Sequence, residues 1–217
     1  MGGTEKLVGQ NLEDALCMLR DVCRILDDSR IPYSLDAGTL LGIIRENRLL
    51  PWDTDMDLAI SSQYARALRK VRWKIYFSGY LTRYRKNDTA LGPIPQNSYR
   101  LLRVYSRKFL FFKKQQLMDI FVKYKHGENY YWIIGRAKPL LQSCPANHLD
   151  ILIKHTFQGQ TYNIPMDYDA YLTHHYGDWR VVRKDWYFRD HDGCNLDASK
   201  WEGDQHQSFG QIQSEPQ

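Results

Sequence analysis

Long apolar stretches are missing from this 217-residue chain, and no secretory leader opens it. A bilayer-spanning helix needs about 20 apolar residues in succession, so the sequence predicts no membrane anchor. Hydrophobic residues still make up 43% of the chain, enough for one globular domain with a substantial core. We expect a cytoplasmic protein, with peripheral membrane contact left open, or a Golgi-lumen protein if the chain is a trimmed domain of a larger one.

Cysteine is also scarce. The four cysteines, at 17, 23, 144 and 194, show no CxxC or other metal-binding spacing. Cys17 and Cys23 fall six residues apart on one predicted helix, an arrangement that does not favour a mutual disulfide. We expect four reduced thiols, with Cys17 and Cys23 acting as small buried hydrophobic side chains.

Acidic residues are nearly absent from the middle of the chain. Residues 66–114 contain 14 lysines and arginines against one acid, Asp88, whereas the remaining residues carry 16 bases and 24 acids. Such a segment attracts an anionic substrate, an anionic membrane or a nucleic acid, or is simply a solvated surface. Within it, the run Phe109–Lys114 fits either a membrane interface or a buried strand with charged ends.

Hydrophobic periodicity predicts helices interspersed with strands. Helices are expected at 11–28, 39–45, 64–77 and 166–176, the last ending at Gly177, a residue type favoured after helix ends. Strands are expected at 31–36, 55–60, 80–84, 99–105, 117–124 and 130–134. The polar residues 201–217 are expected to form a disordered tail after a single domain, 1–200.

The segment 38–57 carries the most chemistry: it reads GTLLG, then Arg45, then PWDTDMD. Asp55 and Asp57 share one face of the predicted strand, because side chains alternate with a period of two. Two like charges held that close repel, and a hard cation with oxygen ligands, Mg²⁺ or Mn²⁺, compensates them. The small Gly38-Thr39 turn lets backbone amides approach a phosphate. Together these features indicate metal-assisted chemistry on a phosphate.

These residues resemble the LicD family, which includes the fukutin-type proteins of animals. Two later stretches extend the similarity: Met118-Asp119-Ile120-Phe121, which resembles a family strand with a further acid, and a C-terminal signature within 157–179. The similarity runs in order over about residues 11–195, without the cysteine-rich zinc insertion of some animal relatives. It implies an α/β (α+β) fold with a nucleotidyltransferase-like core, a mixed β-sheet flanked by helices.

The resemblance also implies an activity. Family members transfer a phospho-alcohol, such as phosphocholine or ribitol phosphate, from a CDP-alcohol donor onto a glycan or lipid-linked glycan, and they release CMP. By the same resemblance, Asp55, Asp57 and Asp119 are catalytic carboxylates that bind Mg²⁺ or Mn²⁺. Gly38 and Thr39 form the donor-phosphate turn. No nucleic acid partner is expected.

Several polar residues keep two interpretations. Asp53 is either the catalytic proton acceptor for the attacking hydroxyl or a cap of the turn after Trp52. Asp36 contacts a sugar or base, or holds the turn that follows it. Arg45 reaches a donor phosphate, or pairs with one of the acids. Trp52 itself is expected to be a wedge in the core.

Two further residues complete the candidate substrate contacts. Arg100 and Arg103 lie three apart on a predicted strand, so at most one, taken as Arg103, faces the site. His191 lies where the family carries a C-terminal histidine, and it either contacts substrate or is a surface histidine.

Three functions compete on this evidence. The first is metal-dependent transfer of a phospho-alcohol from a CDP-linked donor. The second keeps the fold but moves NMP from an NTP to a small molecule or protein. The third is an inactive, basic binding module for an anionic polymer. The acids at 55, 57 and 119 argue against the third, because they repel phosphate in the absence of a metal.

Overall fold

The computed structural model describes residues 5–108, 112–135, 137–183 and 185–197. Its helices are α1 (Gln10–Asp28), α2 (Ala37–Glu46), α3 (Ala65–Phe77), α4 (Asn147–Asp150), α5 (Tyr168–Tyr176) and α6 (Phe188–His191). Its strands are β1 (Ser34–Asp36), β2 (Met56–Ser61), β3 (Leu81–Lys86), β4 (Tyr99–Lys108), β5 (Phe112–His126), β6 (Asn129–Ile134), β7 (Leu140–Pro145), β8 (Leu152–Phe157), β9 (Gln160–Pro165) and β10 (Asn195–Leu196). The expected tail, 201–217, and residues 109–111 of the apolar run lie outside the described residues.

One mixed sheet dominates the described residues and is built around the long strand β5. Strand β2 pairs with β5 in parallel and β1 pairs with β2 antiparallel, while β4 runs antiparallel to β5 and carries β3. Beyond residue 123, β5 pairs instead with β6, which leads on to β7 and β10. The predicted mixed sheet flanked by helices is therefore confirmed.

Helix α1 shows why the local sequence folds as it does. Its apolar positions recur every three or four residues and place one continuous stripe, which includes Leu19, Val22 and Leu26, in the core. Cys23 belongs to that stripe as expected, but Cys17 is exposed, so the expectation that it is buried is wrong. Cys17 lies about 120° around the helix from Cys23, toward solvent, because six residues turn an α-helix through about one and two-thirds turns.

Across the described residues, no helix is both long and apolar enough to cross a bilayer.

Candidate active site

Three aspartates meet across three neighbouring strands. Asp57 of β2 lies directly opposite Asp36 of β1 and directly opposite Asp119 of β5. Directly paired residues of neighbouring strands project to the same face, and such strands lie about 4.8 Å apart. The next strand continues the row, because Arg103 of β4 is paired with Asp119. The sheet thus lines up three carboxylates and one guanidinium on a single face.

This crowding disfavours the charged forms of the acids. Burial raises the pKa of Asp119 to about 7, with repulsion from Asp55 adding to it and Arg103 opposing it. Burial and repulsion from Asp55 and Asp119 also raise the pKa of Asp57 well above its ordinary value. A cluster of acids with raised pKa values is typical of a functional site.

Asp53 and Asp55 lie just before β2, and both repel the charge of Asp57 in the row. Asp55 accepts hydrogen bonds from Gln116 Nε2 at 3.1 Å and from Thr54 Oγ1 at 3.3 Å, and burial raises its pKa. Asp53 accepts one hydrogen bond, from the backbone N–H of Thr54 at 3.3 Å. Burial, followed by repulsion from Asp55, raises the pKa of Asp53 to about 6. Asp53 therefore shows both features considered for it, a local turn contact and a pKa suited to proton transfer.

A sharp elbow joins β1 to α2 beside these acids. Ala37 has a φ of 43°, in the left-handed region that non-glycine residues rarely adopt, and such strain is common at functional sites. Gly38 follows, in the first helical turn and not in a loop, and a side chain there would collide with the carboxylate of Asp53. Thr39 Oγ1 accepts a hydrogen bond of 2.8 Å from the backbone N–H of Asp57. Gly38 therefore leaves room for the Asp53 carboxylate, and Thr39 holds the backbone of Asp57 in place.

Arginine 103 supplies the positive charge of the row. Its Nε lies 3.3 Å from Asp119 Oδ1, and its side chain is mostly buried. Arg100 turns the other way and donates to the carbonyl of Ile133 at 3.0 Å. Arg103 is accordingly the arginine that faces the acids.

Asp36 belongs to the row, but both oxygens of its carboxylate already have partners. Lys123 Nζ lies 2.8 Å from Asp36 Oδ2 and donates to the Tyr171 hydroxyl at 2.7 Å, while that hydroxyl donates to Asp36 Oδ1. Burial works against the charge of Asp36, but Lys123 holds its pKa below the ordinary value. The ammonium of Lys123 also lies 3.8 Å from the centre of the Trp132 ring. These contacts give Asp36 a structural role, but with Lys123 and Tyr171 and not with the turn that follows it, because its side chain makes no hydrogen bond to the start of α2.

Two other candidates have local partners. Arg45 pairs with Glu46 at 2.7 Å and donates to the carbonyl of Trp179 at 3.2 Å, so it ties α2 to the segment after α5. His191 is exposed in α6, where its Nδ1 accepts from the backbone N–H of Tyr187 at 2.9 Å. Neither contact involves the acids at 53, 55, 57 or 119.

Sequence reasoning missed some residues at the site. Tyr176, at the end of α5, has a hydroxyl pKa raised well above the ordinary value by burial and by several acids, including Asp53 and Asp57. Trp52 is 48% exposed, so its expected place as a core wedge is wrong. The corner before Asp53 leaves the Trp52 side chain open to solvent. Two features of the sequence could have pointed to these contacts. Lys123 is the one lysine of the predicted strand 117–124, and Trp52 directly precedes Asp53, the first acid of the motif.

The donor set at the row fits a hard divalent cation. All the candidate ligand atoms of Asp55, Asp57 and Asp119 are carboxylate oxygens, the type that Mg²⁺ and Mn²⁺ prefer. Asp119 Oδ1 is buried and, although paired in charge with Arg103, accepts no hydrogen bond of good geometry. Such an oxygen keeps its capacity to coordinate a cation.

A second cluster of possible metal ligands joins α5 to the C-terminal segment. Among the described residues, His175, Asp192 and Cys194 bring one ligand atom each to within 4.8 Å of one another. Asp192 already accepts from Gln142 Nε2 at 2.8 Å and from the backbone N–H of Cys194 at 2.9 Å, and it pairs with His175 Nδ1 at 3.1 Å. These bonds make the cluster a hydrogen-bonded anchor for the C-terminal segment.

Two curated proteins are similar to part of this chain. An uncharacterized protein of Rickettsia typhi (strain ATCC VR-144 / Wilmington) is 24% identical over 162 residues, 75% of this chain and 45% of that protein. An uncharacterized protein of Rickettsia prowazekii (strain Madrid E) is 28% identical over 69 residues, 32% of this chain and 26% of that protein. The chain thus matches less than half the length of either curated relative.

One solved structure is similar over most of the chain. It is the crystal structure of ANT(2")-Ia in complex with adenylyl-2"-tobramycin, which is 12% identical and covers 82% of this chain and 83% of its own, at a TM-score of 0.39. A score that low carries no conclusion about activity. The family match is stronger, because residues 30–167 match the model described as LicD/FKTN/FKRP, nucleotidyltransferase domain, and this range contains Asp36, Asp57 and Asp119. The chain therefore belongs to the LicD/FKTN/FKRP family, as its motifs predicted.

Proposed function

We propose that the protein is a metal-dependent phosphotransferase that moves a phospho-alcohol from a CDP-linked donor onto a hydroxyl of a glycan or lipid-linked glycan. Family membership supports a transferase. The observation that supports a CDP-linked donor and a metal ion is the row of Asp57, Asp119 and Arg103 across three paired strands. The pKa values of both acids in this row are raised. That row is suited to binding a diphosphate together with a cation.

Asp55, Asp57 and Asp119 would hold one Mg²⁺ or Mn²⁺. When bound, the ion neutralises the charge of the diphosphate and of the leaving phosphate oxygen. Arg103, at the end of the row, is placed to pair with a phosphate oxygen, since its guanidinium always carries a charge. In-line transfer of this kind depends on positioning and electrostatics more than on covalent help from the protein.

Asp53 is the proton acceptor in this proposal. The acceptor hydroxyl loses its proton to the Asp53 carboxylate as its oxygen forms a bond to the distal phosphorus of the donor. The bond from that phosphorus to the oxygen of CMP breaks, and the electron pair leaves with CMP. A pKa of about 6 leaves Asp53 mostly ionised near neutral pH and still able to receive a proton.

Trp52 is our candidate for contact with the donor's cytosine. Its ring is 48% exposed and precedes Asp53 directly, so a flat ligand ring can stack on it at the entrance to the row. Gly38 contributes by leaving room for the Asp53 carboxylate, and Thr39 contributes by fixing the backbone of Asp57. Their backbone amides remain candidates for the donor phosphate, at the positive end of α2.

Release of CMP is the measurement that tests this function. Purified protein is incubated with CDP-choline, CDP-ribitol or CDP-glycerol, with Mg²⁺, Mn²⁺ or EDTA, and with a polyol or glycan acceptor. We expect metal-dependent CMP release with at least one donor, abolished in Asp57→Asn and kept in a variant of the exposed Asp88, Asp88→Asn. Pyrophosphate release from an NTP, with no CMP from any CDP-alcohol, would favour nucleotidyl transfer and refute the proposal.

A further inference from the structure

Helix α3 has a solvent-exposed face outside the core. Its contacts with the rest of the fold include exposed hydrogen bonds from Arg69 to the Tyr99 hydroxyl at 3.2 Å and from Lys74 to Ser29 Oγ at 3.0 Å. Its buried side, which includes Leu68, Val71 and Ile75, packs into the core. The opposite side carries Arg66, Lys70, Trp73 and Phe77, at spacings of four, three and four residues, with Arg69 and Lys74 flanking them. We call these six residues the α3 face.

The two aromatic residues of the α3 face are unusually open to water. Trp73 is 54% exposed and Phe77 is 82% exposed. Both occupy the C-terminal half of the helix, one turn apart, and so form one apolar spot bordered by lysine and arginine. An exposed apolar patch rimmed by polar groups commonly marks an interaction site.

The surroundings of the α3 face are strongly basic. Arg72 lies over the Trp73 ring with its guanidinium 4.8 Å from the ring centre. Arg107 of β4 lies 4.8 Å from the centre of the Tyr76 ring and donates to the Tyr76 carbonyl at 3.0 Å. Helix α3 itself contains no acidic residue. The partner of this surface should therefore be anionic and should accept two aromatic side chains.

We propose that the α3 face docks onto an anionic phospholipid surface. A helix that lies in a membrane interface places tryptophan and phenylalanine among the acyl-chain boundaries, while lysine and arginine pair with headgroups. The α3 face has this arrangement on one side of the helix. Single-stranded nucleic acid is less suited to it, because such ligands bind along a groove that tracks their backbone. The protein would bind the membrane through a helix that contributes no residue to the acid row.

Vesicle sedimentation tests this proposal without any donor or acceptor. The full chain is mixed with vesicles of phosphatidylcholine alone or with about one third phosphatidylserine. We expect binding to the anionic vesicles only, weakened about tenfold or more between about 0.05 M and about 0.5 M salt, because screening shortens the reach of the charges. Absence of anionic-vesicle binding, or equal binding to neutral vesicles, would overturn the proposal.

Matched variants locate the binding surface. The double variant Trp73→Ser/Phe77→Ser should lose about tenfold or more in vesicle affinity, and Lys70→Gln/Lys74→Gln a comparable amount. The control Val181→Ser/Val182→Ser removes two exposed apolar side chains elsewhere and should bind as the wild type does. Melting temperatures of all variants should stay close to that of the wild type, since every changed side chain is exposed and the hydrogen bond that Lys74 loses to Ser29 is exposed as well. Full binding by the aromatic double variant, or tighter binding to an oligonucleotide than to vesicles, would refute a lipid-docking α3 face, whatever the outcome of the CMP assay.

Discussion

Replacing Asp119 with asparagine should make the metal-free protein more stable at alkaline pH. The pKa of Asp119 is raised from 3.8 to about 7 in the folded state, and each unit corresponds to about 1.4 kcal/mol. Ionised Asp119 therefore costs the fold roughly 4 kcal/mol. The pKa of Asp119 is higher in the folded state than in the unfolded state. The folded protein therefore has its full stability below about pH 4, where Asp119 is protonated in both states, and loses stability as the pH rises through about 7.

Roughly 3 kcal/mol of that loss falls between about pH 5 and about pH 8. For a chain of this size, 1 kcal/mol shifts the melting temperature by about 2–4 °C, so the metal-free wild type should melt roughly 5–10 °C lower at the higher pH. Asp119→Asn keeps the shape of the side chain but cannot ionise, so its melting temperature should fall less than that of the wild type. The fall that remains comes from Asp53 and Asp57, whose pKa values are also raised. Added Mg²⁺ should restore the wild type and have little effect on the variant.

Differential scanning calorimetry with EDTA or Mg²⁺ measures these shifts, and Asp88→Asn serves as the exposed control that should follow the wild type. Two results would refute the reasoning: a wild-type melting temperature that does not fall with pH in EDTA, or an Asp119→Asn variant less stable than the wild type at about pH 8. The second would mean that the ion pair with Arg103 at 3.3 Å outweighs the penalty of burial.

Four further predictions concern single side chains. Asp57→Asn should reduce CMP release by about 10²-fold or more while leaving the metal-free melting temperature no lower than that of the wild type; near-normal turnover would contradict its role. Gly38→Val should displace the Asp53 carboxylate and so lower kcat/KM for the donor more than it lowers the melting temperature, as paired kinetics and calorimetry would show. Lys123→Met should cost about 3–5 kcal/mol in urea unfolding, because it leaves the Asp36 carboxylate buried without its cation, and an unchanged midpoint would argue against that pairing. Trp52→Ala should raise KM for the CDP donor by about tenfold with no change in melting temperature, whereas Trp52→Phe should retain most of the affinity.

Local features of this fold could be predicted from the sequence, but long-range pairing could not. Helix α1 and strand β2 follow from periodicity and lie within one or two residues of their expected bounds. The expected helix at 39–45 begins earlier, at Ala37, because a left-handed residue turns the chain directly from β1 into α2. The expected strand at 117–124 extends over 112–126, because β4 pairs with its first half and β6 with its last residues.

The short strands between 140 and 165 were not predicted, since their half-polar sequences pair only in context.

The same limit applies to the site. The sequence places Asp55 and Asp57 together, but it contains no rule that sets Asp57 opposite Asp119 rather than one residue away. Lys123 was overlooked because a single lysine in an apolar strand usually faces water, whereas here Asp36, Tyr171 and Trp132 enclose it. Trp52 was misplaced because an aromatic residue beside a proline corner is most often a packing element.

The enclosure of Lys123 bears on how this protein can be cut into fragments. The family match stops at residue 167, yet the hydroxyl that completes the Lys123–Asp36 contact comes from Tyr171. A truncation designed on the matched range would remove Tyr171 and expose the buried Lys123–Asp36 pair to water, on the same face of the sheet as the acid row. The folding unit therefore extends past the recognisable motif, and recombinant fragments should keep helix α5 and the anchor formed by His175 and Asp192.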